Sequence, residues 1–168
     1  TVYYRSNNAP ASFTVRTNVP QARSSYQGLE LTFEKRMHGG WSLGGNFNYS
    51  YQWDNGGFAN PNSRINAEGR RGVPWWAKLY GTFNVPYGFV LSFIYVHTEG
   101  GYWARSVSVS APTAWIAANN VISGSVSATI EAPDLRHNPA TDNMDFRIEK
   151  EFKIGSIGRL GIFADIFN

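Results

Sequence analysis

The chain has 168 residues, enough for one domain of ordinary size, and 15% of them are aromatic. It contains no cysteine, which excludes disulfides and thiolate metal sites, and its net charge of +3 is too small and too scattered to indicate a nucleic-acid partner. No run of about 18 apolar residues is present, so the sequence excludes a transmembrane helix. Its mean hydropathy of −0.33 still permits a β-barrel, because residues that face a wet lumen lower the average.

Residues 25–37 are predicted to form the first strand, with Leu31 and Phe33 on an apolar face and charged residues opposite. A short turn at 38–40 leads into residues 41–53, which alternate strictly between apolar or small and polar side chains. This second strand is about 40 Å long at ~3.3 Å per residue, whereas soluble strands usually have about 5–6 residues. Tilted by about 40°, it covers the ~25 Å apolar band of an outer-membrane barrel and an aromatic girdle at each edge.

Four further strands are predicted from the same alternation, in two pairs joined by short turns at 87–88 and 153–158. They comprise residues 75–86 and 89–98, then residues 143–152 and 159–167. The strand at 89–98 is apolar on both faces, which leaves its orientation open. In the last strand, Phe163 and Phe167 fall on the polar face and interrupt the pattern.

Three long links, at 6–24, 54–74 and 99–142, alternate with the short turns, an arrangement typical of outer-membrane barrels with periplasmic turns and extracellular loops. Because successive spanning strands alternate in direction, all the short turns fall on the same side of the membrane only if the link 99–142 contains no spanning strand or two of them. Its strand-like residues 102–109 and 121–131 are interpreted as a hairpin, since the first falls below the ~9–11 residues that spanning needs. The predicted fold is all-β: an antiparallel transmembrane β-barrel portion with short periplasmic turns and long extracellular loops.

Lys35 and Lys150 are the charged residues on otherwise apolar faces, and each lies two to three residues from a predicted turn. There a lysine amine reaches the membrane interface, whereas in mid-bilayer it would cost roughly 2–4 kcal/mol. Three tryptophans, Trp41, Trp53 and Trp75, are assigned to the aromatic girdles. The alternative is a soluble sandwich whose strand ends carry surface lysines.

No pattern in the sequence indicates an enzyme, and no catalytic residue, cofactor or metal is expected. The histidines, His38, His97 and His137, lack metal-ligand spacing, and no nucleophile elbow, P-loop or Rossmann fingerprint occurs. Carboxylates at alternate positions, such as Glu149 and Glu151, suggest acid–base pairs. They are interpreted instead as lumen-facing charges that pair between neighbouring strands.

The long links offer candidate contacts for an extracellular ligand, because loops on a rigid scaffold often carry binding residues. The candidates combine cationic and polar groups with aromatic rings; they are Asp54, Asn60, Arg64, Arg70, Arg71, Tyr102, Trp103 and Arg105. Alternatively the first loop is simply solvated, and the residues of the second cap the barrel or pack on a neighbouring loop.

Five segments resemble the barrel region of TonB-dependent outer-membrane receptors of the Oar-like type, which carry an N-terminal carboxypeptidase-regulatory-like domain. They are YQGLELTFEKRM at 26–37, NPNSRINAEGRRG at 60–72, KLYGTFNVPYGFVLSFIY at 78–95, MDFRIEKEF at 144–152 and GRLGIFADIFN at 158–168. The resemblance implies a barrel of about 22 strands with an N-terminal plug and a short box that engages TonB. It further implies uptake of a large or scarce solute, with outer-membrane lipid, the plug, the remaining barrel and the TonB system as partners.

The chain is therefore expected to be a fragment located in the bacterial outer membrane. It shows no plug, TonB box or signal peptide, and about seven spanning strands, counting a stub near 1–5, cannot form the closed even-numbered barrel of a bacterial protein. Two alternatives stay open: an extracellular all-β binding or structural module, such as an adhesin or a glycan-binding sandwich, and a complete small barrel of eight strands. The identity of the ligand is not indicated.

Overall fold

The computed structural model describes residues 3–8, 20, 22–55, 62, 67–121 and 124–168. Within these residues the fold is all-β with antiparallel sheets, as predicted, and contains one short helix. The strands are β1 Ser24–His38, β2 Trp41–Asp54, β3 Gly69–Arg71, β4 Trp75–Val85, β5 Phe89–Thr98, β6 Tyr102–Trp103, β7 Ser106–Ser110, β8 Ser125–Thr129, β9 Arg136–His137, β10 Thr141–Ile154 and β11 Gly158–Ile166. The helix is α1 Thr113–Asn119, and Pro86–Gly88 forms a single 3-10 turn.

The chain divides into two compact units, which are described separately. Unit 1 comprises Thr1–Gln27, Tyr51–Gly72 and Gly101–Asn138. Unit 2 comprises Gly28–Ser50, Val73–Gly100 and Pro139–Asn168. No helix in the described part of the chain is long and apolar enough to cross a membrane.

The main sheet contains the six strands that the alternation predicted, in the order β1-β2-β4-β5-β10-β11, with β3 paired to β2. Each predicted strand is confirmed with ends that differ by at most two residues. Gly39 and Gly40 join β1 to β2 with φ of 65° and 85°, the left-handed backbone that a two-residue hairpin turn requires. Since β5 pairs directly with β10, the links at 39–40, 86–88 and 155–157 all fall at the same end of the sheet.

The strand register gives the main sheet two chemically distinct faces. One row across four strands joins Trp41, Phe83, Leu91 and Ile148. This row is part of the apolar face, defined here as the side of the sheet that carries these residues. The neighbouring row on the opposite, polar face joins Ser42, Thr82, Ser92, Arg147 and Asp165. The register also fixes the orientation of β5, because Phe89, Leu91 and Phe93 lie on the apolar face.

The apolar face of the main sheet is not covered by any other layer of the described chain. Ile148 is 46% exposed and Ile162 is 59% exposed, and the buried apolar residues of the described chain, Ala67, Val121 and Ala128, all lie outside the main sheet. Many apolar side chains of this face therefore remain open to the surroundings, among them Leu31, Ile148 and Ile162.

Unit 1 contains two small sheets, formed by the pairs β6–β9 and β7–β8. The β7–β8 pair is the hairpin predicted within 99–142, with α1, which the sequence did not predict, in its connection. The strand-like segment 102–109 is two short strands rather than one. The stub predicted near 1–5 is not found among its described residues, 3–5; Ser6 instead forms an isolated antiparallel bridge with Val121. The link 6–24 lies mostly outside the described residues.

Candidate functional site

Unit 1 holds a group of cationic and aromatic side chains, here called the loop cluster: Tyr51, Arg70, Tyr102 and His137. The guanidinium carbon of Arg70 lies 4.8 Å from the ring centroid of Tyr51 and 4.8 Å from that of Tyr102. Tyr102 faces His137 across the β6–β9 pair, with ring centroids 4.4 Å apart in an edge-on arrangement. Cation–π contacts of this kind are typical where arginine is partly withdrawn from water.

Short backbone pairings position the loop cluster. The pairing of β2 with β3 sets Arg70 opposite Trp53, and the backbone N–H of Tyr102 donates to the Gly72 carbonyl at 3.1 Å. Beside it, Arg71 donates from Nε and Nη2 to Oδ1 of Asp54, both at 3.2 Å, and from Nη2 to the Ala67 carbonyl at 2.6 Å. The side chain of Arg71 therefore joins β3 to the last residue of β2 through its ion pair with Asp54.

A second group in unit 1 surrounds Glu131. Arg136 forms a two-pronged ion pair with this carboxylate, including Nη2 to Oε2 at 3.1 Å, and its guanidinium lies 5.4 Å from the Trp103 ring centroid. The backbone N–H of Arg105 donates to Oε1 at 2.8 Å. The hydrogen bonds from Arg136, supported by that backbone N–H, hold the pKa of Glu131 below its ordinary value.

Four of the eight predicted loop contacts lie in these two groups of unit 1, namely Arg70, Tyr102, Trp103 and Arg105. Two more, Asp54 and Arg71, form the ion pair beside the loop cluster. Asn60 and Arg64 lie outside the described residues. Arg105 contributes its backbone N–H to Glu131. The prediction missed Tyr51, Glu131, Arg136 and His137; of these only Tyr51 carried a signal, as part of the alternating aromatic face of β2.

Two of the predicted girdle tryptophans lie in unit 2, near opposite ends of the main sheet. Trp41 starts β2 beside the 39–40 turn, with the Lys35 amine 3.6 Å from its ring centroid. Trp75 starts β4 at the other end and stacks on the His97 ring at 4.2 Å. The third, Trp53, lies near the end of β2, within unit 1.

His97 belongs to a group of polar side chains on the apolar face, at the end of the main sheet opposite the short turns. Its Nδ1 lies 2.8 Å from Oδ1 of Asp142, to which the Tyr95 hydroxyl donates at 2.5 Å, and its Nε2 lies 3.9 Å from Glu99. Among the described residues no cluster of His, Asp and Glu is arranged to hold a metal ion. The arrangement links the end of β5 to the start of β10.

The polar face carries ion pairs between neighbouring strands. Arg159 donates to Glu151 at 3.2 Å, which confirms the predicted cross-strand pairing for that carboxylate. Arg147 and Asp165 pair in the same way and line a shallow depression of about 320 Å³ together with Ser92 and Phe167. The polar face thus carries two ion pairs that join β10 to β11.

Comparison of the chain with protein-family models, with curated protein sequences and with solved structures gives no match.

Proposed function

We propose that the main sheet is part of the wall of a bacterial outer-membrane β-barrel, with its apolar face toward lipid and its polar face toward a wet lumen. The single observation that carries the proposal is the uncovered apolar face, opposite a face that carries charged side chains and two cross-strand ion pairs. Burying a Leu or Phe side chain in an apolar medium is worth about 1.5–3 kcal/mol. A face of such residues is stable in water only if something covers it.

Strand length supports the same proposal. The main-sheet strands β1, β2, β4, β5, β10 and β11 have 15, 14, 11, 10, 14 and 9 residues. All reach the ~9–11 residues that a tilted strand needs to cross a bilayer, and most far exceed the ~5–6 of soluble sheets.

The position of the lysines supports a placement of the short turns at a membrane interface. Lys35 lies three residues before the end of β1, and its amine donates to the carbonyls of His38 and Trp41 near the turn. Lys150 lies four residues before the end of β10, two more than predicted, because β10 continues to Ile154. Its amine nevertheless lies beside the Pro86–Gly88 turn, 3.6 Å from the position a Cβ would take at Gly88.

The transport role comes from the family resemblance. We propose that the full protein is a TonB-dependent receptor of the Oar-like type, which takes up a large or scarce solute from outside the cell. In this chain the main sheet would serve as non-catalytic wall, and the loop cluster would be an extracellular contact for the solute. Outer-membrane lipid, the plug with the remaining barrel, and the TonB system would be its partners.

Spin labels on adjacent residues of β10 test the wall proposal. The chain has no cysteine, so Ile148→Cys and Glu149→Cys each give one labelled site, on opposite faces of the sheet. In membranes of cells producing the protein, the label at 148 should be accessible to oxygen but not to a water-soluble nickel chelate, and the label at 149 should behave in the opposite way. Ser108→Cys, in β7, is the control and should be accessible to the chelate.

The competing function is an extracellular all-β binding module, in which the apolar face packs against other protein. In that case a label at 148 would be shielded from both probes, and the protein would not fractionate with membranes. Either result would overturn the barrel proposal.

A further inference from the structure

Lys150 is a cation placed among apolar side chains. It lies on the apolar face, directly opposite Phe89 of β5 and Ile162 of β11. Its amine is 4.4 Å from the ring centroid of Phe89 and 5.6 Å from that of Phe152. These two rings and the Pro86–Gly88 turn lie around the amine, and the side chain is half-buried.

The comparison with Lys35 shows what Lys150 lacks. An ammonium group has three N–H donors. The Lys35 amine directs them to the carbonyls of Arg36, His38 and Trp41, at 3.4, 3.0 and 2.9 Å. In the described part of the chain, the Lys150 amine has no hydrogen-bond acceptor and no carboxylate within ion-pair distance.

The nearest carboxylates in sequence are directed elsewhere. Glu149 and Glu151 lie on the polar face, because side chains alternate along β10. Glu151 pairs there with Arg159, and the Glu149 carboxylate lies beside Gly161. The apolar face around Lys150 therefore keeps an uncompensated positive charge at the level of the short turns.

We propose that Lys150, Phe89 and Phe152 form a binding site for the phosphate of a phospholipid headgroup in the leaflet at the short-turn end. This proposal rests on the wall function above. The amine supplies the charge-assisted donors that a phosphate oxygen accepts, and the rings contact the glycerol and first methylenes of the same lipid. Lys35, whose donors are already used by the chain, is not such a site.

The test compares two lipids that differ in phosphate. The intact protein is folded into vesicles of phosphatidylglycerol and into vesicles of digalactosyldiacylglycerol with the same acyl chains, and its unfolding rate in urea is measured. The wild type should unfold roughly tenfold more slowly in the phosphate-bearing vesicles, as expected for one charge-assisted contact. Lys150→Met should abolish this difference.

Two control variants separate the site from charge in general. Lys153→Met removes a lysine of the same strand on the polar face and should keep the full lipid dependence. Lys35→Met should speed unfolding equally in both lipids, because the hydrogen bonds that it removes are made to carbonyls of the protein and not to lipid. A Lys150→Met variant that retains the lipid difference, or a Lys153→Met variant that loses it, would overturn the site.

The same samples distinguish failure of this site from failure of the wall proposal. A spin label at position 148 reports lipid contact independently of Lys150. If that label is exposed to lipid in both vesicles while Lys150→Met has no selective effect, only the phosphate site fails. If the label never contacts lipid, both proposals fail.

Discussion

Arg147 donates to both carboxylate oxygens of Asp165, from Nε at 2.6 Å and from Nη2 at 2.8 Å, directly across the β10–β11 pair. Its guanidinium also lies 4.4 Å from the ring centroid of Phe163. Phe163 interrupted the alternation of β11 because it lies on the polar face, and this contact gives the ring a partner there. The three residues form one unit at the edge of the main sheet.

We expect this ion pair to stabilise β11 as a coupled unit. Asp165→Asn and Arg147→Met should each speed unfolding a few-fold, and the double variant should be no worse than the more harmful single one. Because the pair is partly exposed, added salt should reduce the difference between wild type and variants. Urea unfolding rates measured as a double-mutant cycle check this, and strictly additive effects would argue against coupling.

Two glycines of the main sheet should differ in their tolerance of a methyl group. A Cβ at Gly45 would lie 2.7 Å from the carbonyl oxygen of Lys78, a backbone atom fixed by the sheet, and 2.8 Å from the Phe33 ring. A Cβ at Gly161 would lie 2.7 Å from Oε1 of Glu149, the end of a flexible side chain. Gly45→Ala should therefore cost about 1–3 kcal/mol and Gly161→Ala much less, measured by urea unfolding. Equal costs would contradict this account.

The Glu131–Arg136 pair should make unit 1 sensitive to acid. The pKa of Glu131 is lowered from its ordinary value of 4.5, so its stabilising effect is complete above that pH and is lost as the pH falls through the lower folded value. Protease cleavage within 99–140 should be constant from neutral pH to about pH 5 and should increase at lower pH. The Glu131→Gln variant should be cleaved faster at neutral pH, and its cleavage should no longer increase as the pH falls below about 5. An unchanged pH profile would show that Glu131 does not cause the acid sensitivity.

Arg70 should help to hold the loop cluster together. Removing its guanidinium from between Tyr51 and Tyr102 in Arg70→Gln forfeits about 0.5–1 kcal/mol for each ring. Chymotrypsin should then cut more readily at Tyr102 and Trp103. Arg105→Gln is the matched control, since the Arg105 hydrogen bond to Glu131 comes from its backbone. If the Arg105→Gln control is cleaved as fast as Arg70→Gln, the loss of a positive charge, and not the loss of the ring contacts, explains the faster cleavage.

The main sheet was predictable because its strands are long and alternate strictly, so that Trp41 to Trp53 carries the period-2 signal over many residues. The orientation of β5 was not, since Phe89–Thr98 is apolar on both faces and only the register with β4 and β10 decides it. The alternation of side chains describes one strand at a time, whereas the face on which each side of β5 lies depends on its register with the neighbouring strands.

For the loop cluster, the sequence indicated which types of residue the loops carry but not which of them contact one another. The strands β6 and β9 have two residues each, too few for any periodic signal, and they pair Tyr102 with His137 across a long separation in sequence. The helix α1 has seven residues and no side-chain N-cap, which removes the usual start signal. Contacts of this kind depend on how distant segments meet.

The two outermost strands of the main sheet, β1 and β11, run in opposite directions, because the six strands from β1 to β11, these two included, alternate in direction. Among the described residues neither strand has a partner on its outer edge, so each of these edges can accept a further antiparallel neighbour. Closing this sheet into an all-antiparallel ring therefore requires an even number of added strands, whichever chain supplies them. The geometry of these two edges alone sets a parity rule for any complete assembly that contains this sheet.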